Sequence, residues 1–331
     1  MSRLLRANFA RIFKSWYFQL GAVIFIVVNF IVPFATYRDM QKYPEFYHHD
    51  YEFVDQLTPE ERDEYFRGME RETLHEGYMF STGLFLPFIT TVVIGLFIGT
   101  DYSDGTIRNK LVVGHKRKNV YLSNLITAIS VSELIYLAGL ATSYITARIL
   151  FDNTILPASE IFMYILAGIF VTASWAAICT SVSMLFHSKA GCITLTLLFA
   201  CAMSVFSAEI IMSLENPLYY DETVYMNSAT EEIVQLPTTI EKMTPDDLYM
   251  AGIDPEEVDQ YVSQKGEDPN APHGIKRKVF KLINVAAPGC QYIHIGDWEK
   301  SYNDTTILWS AVIILLTTSA GIVVFRKQNL K

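Results

Sequence analysis

Asp101-Tyr102-Ser103-Asp104-Gly105-Thr106-Ile107-Arg108-Asn109-Lys110-Leu111-Val112-Val113-Gly114-His115, followed by Lys116-Arg117-Lys118, is the stretch on which the reading of this chain turns. It is short, polar and basic, and it separates two long apolar runs. Thr106 is a helix-capping residue type and Gly114 suits the left-handed residue that follows a helix end, so the spacing predicts a short helix over residues 107–113. On that helix Ile107, Leu111 and Val112 share one face, with Arg108 and Lys110 on others.

The 331 residues are 51% hydrophobic and 13% aromatic, yet they include 26 Lys and Arg and 35 Asp and Glu. The charges stand in blocks between apolar runs instead of being interspersed, which is the pattern of a polytopic membrane protein. Six runs have about the 20 residues that a hydrocarbon core of roughly 30 Å requires. They lie at 16–36, 78–99, 121–149, 161–186, 190–214 and 307–325, with His187-Ser188-Lys189 as a tight polar turn between the fourth and fifth. The expected fold is all-α. The net charge of −9 carries no information about nucleic acid, because the two signs fall in different segments.

Orientation follows from the cations. The N-terminus, the 100–120 loop, Lys189 and the tail hold 13 of the 26 cations and only two acids, Asp101 and Asp104, whereas the segments 37–77 and 215–306 hold 29 of the 35 acids. Both termini are therefore expected in the cytosol and both large acidic segments outside. The first run is too long for a signal peptide and has no small-residue cleavage site after Pro33. Cys290 alone among four cysteines lies outside the spans, so no disulfide framework is expected.

Residues 1–15 alternate apolar positions (Leu4, Leu5, Phe9, Ile12, Phe13) with Arg3, Arg6, Arg11 and Lys14. Two readings fit: a helix lying along the inner leaflet with its cations at the headgroups, or a plain positive flank of the first span. The outer segments read as a helical cap. Thr58-Pro59-Glu60-Glu61, Thr244-Pro245-Asp246-Asp247 and Asp254-Pro255-Glu256-Glu257 each combine a cap residue, proline at the first helical position and acids at the positive end of the dipole. The first predicts a helix over about 59–75 and the third one over 255–264. An apolar stretch within 279–295 is too short to span and would lie at, or dip into, the outer interface. This cap is either a solvated connection or a lid for a cationic substrate or partner.

Among ionisable residues in the spans, Glu133 stands out near the middle of the third, with Ser123, Thr127 and Ser130 on a neighbouring stripe. It would either line a translocation path or fix packing by bonding a neighbouring helix. Arg148, Glu160 and Glu209 sit near span ends, where snorkelling to the interface accounts for them. Gly83, Pro87, Gly95 and Gly99 predict a kinked, closely packed second span. His48-His49 reads as a solvated pair, and no histidine has metalloprotease spacing. There is no glycine-rich phosphate loop and no visible nucleophile–base set. No catalytic, cofactor or metal residue is therefore expected on this chain.

Asp-Gly-Thr-Ile-Arg-Asn-Lys-Leu at 104–111, followed by Gly114-His115 and the basic cluster, resembles the cytosolic loop after the second span in bacterial ABC transporter permeases of the second, export type. The amphipathic N-terminus, six spans, inward termini and small element before the last span resemble that family's plan. The resemblance implies that Asp104, Gly105, Thr106, Ile107, Arg108, Asn109, Lys110, Leu111, Val112, Gly114 and His115 form a coupling helix for a separate cytosolic P-loop ATPase. ATP and Mg would belong to that partner, and a second identical or related permease would complete a dimer in the bacterial plasma membrane. The 215–306 segment is larger than in many family members. Subfamilies with such segments suggest export of, or resistance to, amphipathic peptides, with lipid-like substrates also in view. The alternative is a membrane-anchored sensor whose acidic cap binds a ligand without any ATPase.

Overall fold

The computed structural model describes residues 1–42, 85–150, 158–186, 188–215, 219–226, 233–236, 261–267, 271–296 and 303–328. The described residues form ten helices: α1 (Ser2–Phe13), α2 (Trp16–Lys42), α3 (Leu86–Ser103), α4 (Thr106–Val112), α5 (Arg117–Leu150), α6 (Ala158–Ser183), α7 (Lys189–Glu215), α8 (Gly274–Ala286), α9 (Pro288–Gly296) and α10 (Asn303–Lys327). Six of them, α2, α3, α5, α6, α7 and α10, are long and apolar enough to cross a membrane. Each of these is apolar on all sides, as a helix wholly surrounded by hydrocarbon or protein must be.

The chain divides into two compact units, one of residues 1–208 with 284–331 and one of residues 209–283. In the first, α3, α5 and α6 are the inner helices: half or more of their apolar windows is buried, against less than a quarter for α2, α7 and α10. Helix α6 packs against α10, α5, α3 and α9, and α5 packs against α2 and α1. Lipid is as apolar as leucine, so helices in a membrane are held by close fit and by polar contacts between them. Both are present. Ser143 donates to Asn29 Oδ1 at 2.9 Å between α5 and α2. Trp175 Nε1 donates to the Pro87 carbonyl at 3.1 Å and to Thr91 Oγ1 at 3.0 Å between α6 and α3. Tyr121 and Ser181 hydroxyls meet at 2.8 Å, and Ser181 also reaches the Thr317 carbonyl at 3.2 Å, which joins α5, α6 and α10.

Pro87 stands in the first turn of α3 and therefore starts the helix, where its missing N–H costs nothing, instead of kinking it. The described helix begins at Leu86, and residues 78–84, with Gly83, lie outside the described residues. Gly95 and Gly99 do pack closely. A Cβ on Gly99 would stand 2.9 Å from the Lys189 Cα, and one on Gly95 would stand 3.3 Å from the Ile193 Cα, so α3 and α7 meet backbone to backbone. Ser188 caps α7, its hydroxyl accepting from the Gly191 N–H at 3.1 Å.

The second unit corrects the purely helical cap. Tyr219–Met226 (β1), Ile233–Leu236 (β2) and Tyr261–Glu267 (β3) form an antiparallel sheet in the order β2-β1-β3. The helix expected over 255–264 is thus strand from Tyr261 onward. Tyr-Tyr-Asp-Glu-Thr-Val-Tyr-Met is rich in β-branched and aromatic residues and pairs with β3 along its length, while residues 254–257 lie outside the described residues. The helix expected over 59–75 and the His48-His49 pair lie outside the described residues, as do residues 244–247.

The Gly99 contact yields a test. Gly99→Val should destabilise the bundle by about 1–3 kcal/mol, the range for overpacking a close contact. Thermal unfolding in detergent, compared with wild type, measures it, and an unchanged midpoint would mean that α3 and α7 are not locked at this point.

Candidate functional site

The 101–118 stretch holds the expected short helix, but residues 101–103 belong to α3 and residues 117–118 to α5. Helix α4 begins at Thr106 itself, and the residue before it is Gly105 with φ 69°. Thr106 makes no side-chain cap. At the other end Gly114 takes φ 95°, the Gly114 N–H bonds the Leu111 carbonyl at 3.0 Å and the His115 N–H bonds the Lys110 carbonyl at 3.2 Å. These paired bonds are the Schellman arrangement, and a left-handed residue there calls for glycine.

The predicted apolar face is divided. Ile107 is buried at 1% exposure, and Leu111 is half-buried against the same core. Val112 and Val113, each 78% exposed, project away from the protein with Arg108, Asn109 and Gly114. Asp104 is exposed as well, while Gly105, Thr106 and His115 are half-buried. Ile107 therefore anchors the helix, and the apolar surface it offers outward is Val112 and Val113.

What holds the stretch in place is a buried polar cluster. Asp101 lies within the last turn of α3 and is fully buried. Its carboxylate pairs with Arg11 of α1 through one oxygen and accepts from Lys110 of α4 through the other at 3.0 Å. Lys110 also donates to Asn8 Oδ1 at 2.9 Å, and Asn8 Nδ2 donates to Asn124 Oδ1 of α5 at 2.9 Å. The Arg11 guanidinium sits 4.5 Å from the centre of the Phe97 ring, a cation–π contact covering N–H groups without an oxygen acceptor. Four helices, α1, α3, α4 and α5, thus share one cluster.

This corrects the expected disposition of the N-terminal cations. Arg3, Arg6 and Lys14 are exposed as a headgroup-facing set requires, but Arg11 turns inward with Leu4, Asn8 and Ile12. Burial lowers the Lys110 ammonium to about 7, with the Arg11 charge adding to the effect. Burial likewise lowers Arg11, against which Tyr17 and Asp104 act. One carboxylate faces two cations, so a fully ionised cluster carries one positive charge in excess, and Lys110 is the group that relieves it.

The basic residues after α4 form a second feature. Arg117 Nη1 donates to the carbonyls of Phe325 and Arg326 at 3.1 and 3.3 Å and to that of Gln328, capping the C-terminal end of α10. Gly114, His115, Lys116, Lys118 and Arg326 surround an open basic hollow beside it.

Glu133 is set apart from this region. Neither of its oxygens reaches solvent, and neither has a hydrogen-bond partner among the described residues. The expected bond to a neighbouring helix is therefore not made there, while Ser123 and Thr127 of the adjoining stripe bond back to their own helix at 2.8 Å. Tyr292 of α9 is buried against α6 and donates to Thr172 at 3.4 Å. Its phenol is pushed well above the ordinary value by burial, opposed by Thr172 and reinforced by the Glu133 charge. Arg148 and Glu209 are exposed. All four cysteines are free thiols.

No protein family, curated protein or solved structure matches this chain.

The cluster gives two predictions. Asp101→Asn strands two buried cations and should cost about 3 kcal/mol, the low end for breaking a buried pair because Arg11 keeps some exposure. Limited proteolysis at α1, together with thermal unfolding, reports it. Because the docked Lys110 releases its proton more easily than the usual 10.5, docked protein binds fewer protons between about 7 and 10.5. Docking should therefore strengthen as pH rises through that window, with the full penalty present below about 7. The unfolding midpoint of wild type relative to Lys110→Met, followed from pH 7 to 10, should rise accordingly.

Proposed function

We propose that the chain is the membrane permease subunit of an ATP-driven exporter of the second ABC type, with α4 as the helix on which a separate P-loop ATPase acts. In this reading both termini and α4 face the cytosol, the 37–77 and 215–306 segments face outward, and two permeases pair in a bacterial plasma membrane. ATP and Mg reside on the partner, and this chain contributes no catalytic group. The substrate crosses or leaves the bilayer between the two permeases, and an amphipathic peptide is the class favoured.

One observation carries the reading. A seven-residue helix is set between two spans with its inward side fixed by Ile107 and Lys110, while Arg108, Asn109, Val112 and Val113 face away unpartnered among the described residues. An exposed apolar pair rimmed by polar residues on a helix anchored from behind supports a protein contact at this point. A push on them acts on Lys110 and so on Asp101 in α3, one of the inner helices. Six helices able to span, and α9 packed against α6 before the last of them, fit the same plan. The acid-rich composition of 215–306 supports a cationic substrate by charge alone.

Val112→Glu with Val113→Glu leaves the buried anchor intact and should weaken ATPase association about tenfold or more, a loss of about 1.4 kcal/mol. Co-purification of the partner from native membranes and substrate-stimulated ATP hydrolysis should both fall while the permease remains inserted. Retention of a P-loop subunit at wild-type yield by the double variant would overturn the assignment of α4. Purification of the wild-type chain without any such subunit would favour the sensor alternative.

A further inference from the structure

Helix α8 carries a surface that the exporter reading does not use. Its sequence, Gly-Ile-Lys-Arg-Lys-Val-Phe-Lys-Leu-Ile-Asn-Val-Ala, has four cations and no acid, although it lies in the acid-rich 215–306 segment. At 100° per residue Ile275, Val279 and Leu282 fall on one stripe. They are 81%, 45% and 55% exposed, so this stripe faces away from the protein. The opposite side turns inward: Asn284 is buried and Arg277 donates to the Leu214 carbonyl at 3.4 Å. Lys276 flanks the apolar stripe on one side, its ammonium 5.3 Å from the Phe280 ring, and Lys278 and Lys281 flank it on the other, all three exposed.

We infer that α8 is an interfacial helix that lays Ile275, Val279 and Leu282 into the acyl boundary of a bilayer while Lys276, Lys278 and Lys281 bind anionic phosphate headgroups. An apolar stripe bounded on both sides by lysines fits a boundary between hydrocarbon and charged water, with each ammonium reaching the phosphates on its four-carbon stem. A soluble protein partner would need acids on both margins of a narrow hydrophobic groove, whereas an anionic lipid surface supplies both features over the roughly 20 Å length of thirteen helical residues. The bilayer is also within the chain's reach, since α10, one of the six helices able to span, begins at Asn303. The cation pattern that orients the rest of the chain thus has a local exception with its own cause: these lysines hold a headgroup layer on whichever side the helix lies.

Nitroxide scanning of the full-length protein tests this. In a Cys201→Ser background, which leaves only buried cysteines, labels are placed singly at Ile275→Cys, Val279→Cys, Leu282→Cys, Lys276→Cys and Lys278→Cys. The protein is reconstituted in nanodiscs of phosphatidylcholine with and without phosphatidylglycerol. The three stripe positions should collide with oxygen and be shielded from a water-soluble nickel chelate, and the two lysine positions should not. Phosphatidylglycerol should deepen the stripe, and Lys276→Gln/Lys278→Gln/Lys281→Gln should abolish that response. Salt at about 1 M, where the Debye length is about 3 Å, should do the same without any substitution. Stripe labels open to the nickel chelate, or closed to both reagents as under a protein partner, would overturn the inference. Equal depth in both lipids would overturn the headgroup assignment.

Discussion

The carboxylate of Asp101 is the constraint on which the basal region of the bundle depends. A charge removed from water at the end of a long apolar helix is stable only when its counter-charges are brought to it. Those counter-charges come from segments far apart in the chain, Arg11 before the first span and Lys110 after the second. The cluster cannot form piecemeal: α1 must dock for Asp101 to meet Arg11, and α4 must fold for Lys110 to reach both Asp101 and Asn8. Asn8 extends the demand to Asn124 in α5. A single buried oxygen pair therefore fixes the orientation of the short helix, and with it which residues α4 shows to the outside.

Within the bundle the same logic recurs with neutral groups. The apolar surfaces of the helices supply little preference for one neighbour over another in a membrane, so identity of contact comes from what must be satisfied. Asn29 requires Ser143, Trp175 requires Pro87 and Thr91, and Tyr121 requires Ser181. Small residues permit the approach: Gly139 lies against Phe25, Gly168 against the Tyr136 hydroxyl and Gly321 against that of Tyr121. Glu133 is the exception, a carboxyl group with both oxygens shielded and no partner among the described residues. A group retained at that cost is a candidate for function in a way that the satisfied clasps are not.

Periodicity and charge segregation made the helices of the bundle legible, because hydrocarbon imposes a length and a composition that few other environments do. Gly114 was legible as a helix stop for an equally local reason. The cluster at Asp101 was not. Its signal is split among Asn8, Arg11, Lys110 and Asn124, and nothing in their spacing says that α1 folds back on α5. Asp101 looked like the first residue of a polar loop because the span seemed to end at Gly99, whereas about one further turn carries the helix to Ser103. Ile107 was grouped with Val112 as one apolar face, although five residues at 100° each set them about 140° apart, and it is this separation that buries one and exposes the other. The sheet escaped for the opposite reason: a strong local cap at 254–257 stood before a segment whose state is set by pairing with β1, some forty residues earlier.

The arrangement around α4 has the form of a short lever with defined joints. Gly105 and Gly114 bracket the helix, both at positive φ and both with open space where a side chain would stand. Left to themselves, such joints would let a force on Val112 and Val113 bend the loop and dissipate. The buried anchor at Ile107 and the ion pair at Lys110 remove that freedom on the inward side. Displacement of α4 must then either break a buried pair or move α3 with it, and moving α3 is the less costly course as long as its neighbours can follow. Helix α6, joined to α3 through Trp175, and α7, approached closely at Gly95 and Gly99, are neighbours that must follow. In the exporter reading, force entering at two exposed valines is converted into motion of α3 and the spans packed on it because Asp101, held by Arg11 and Lys110, is too costly to unpair.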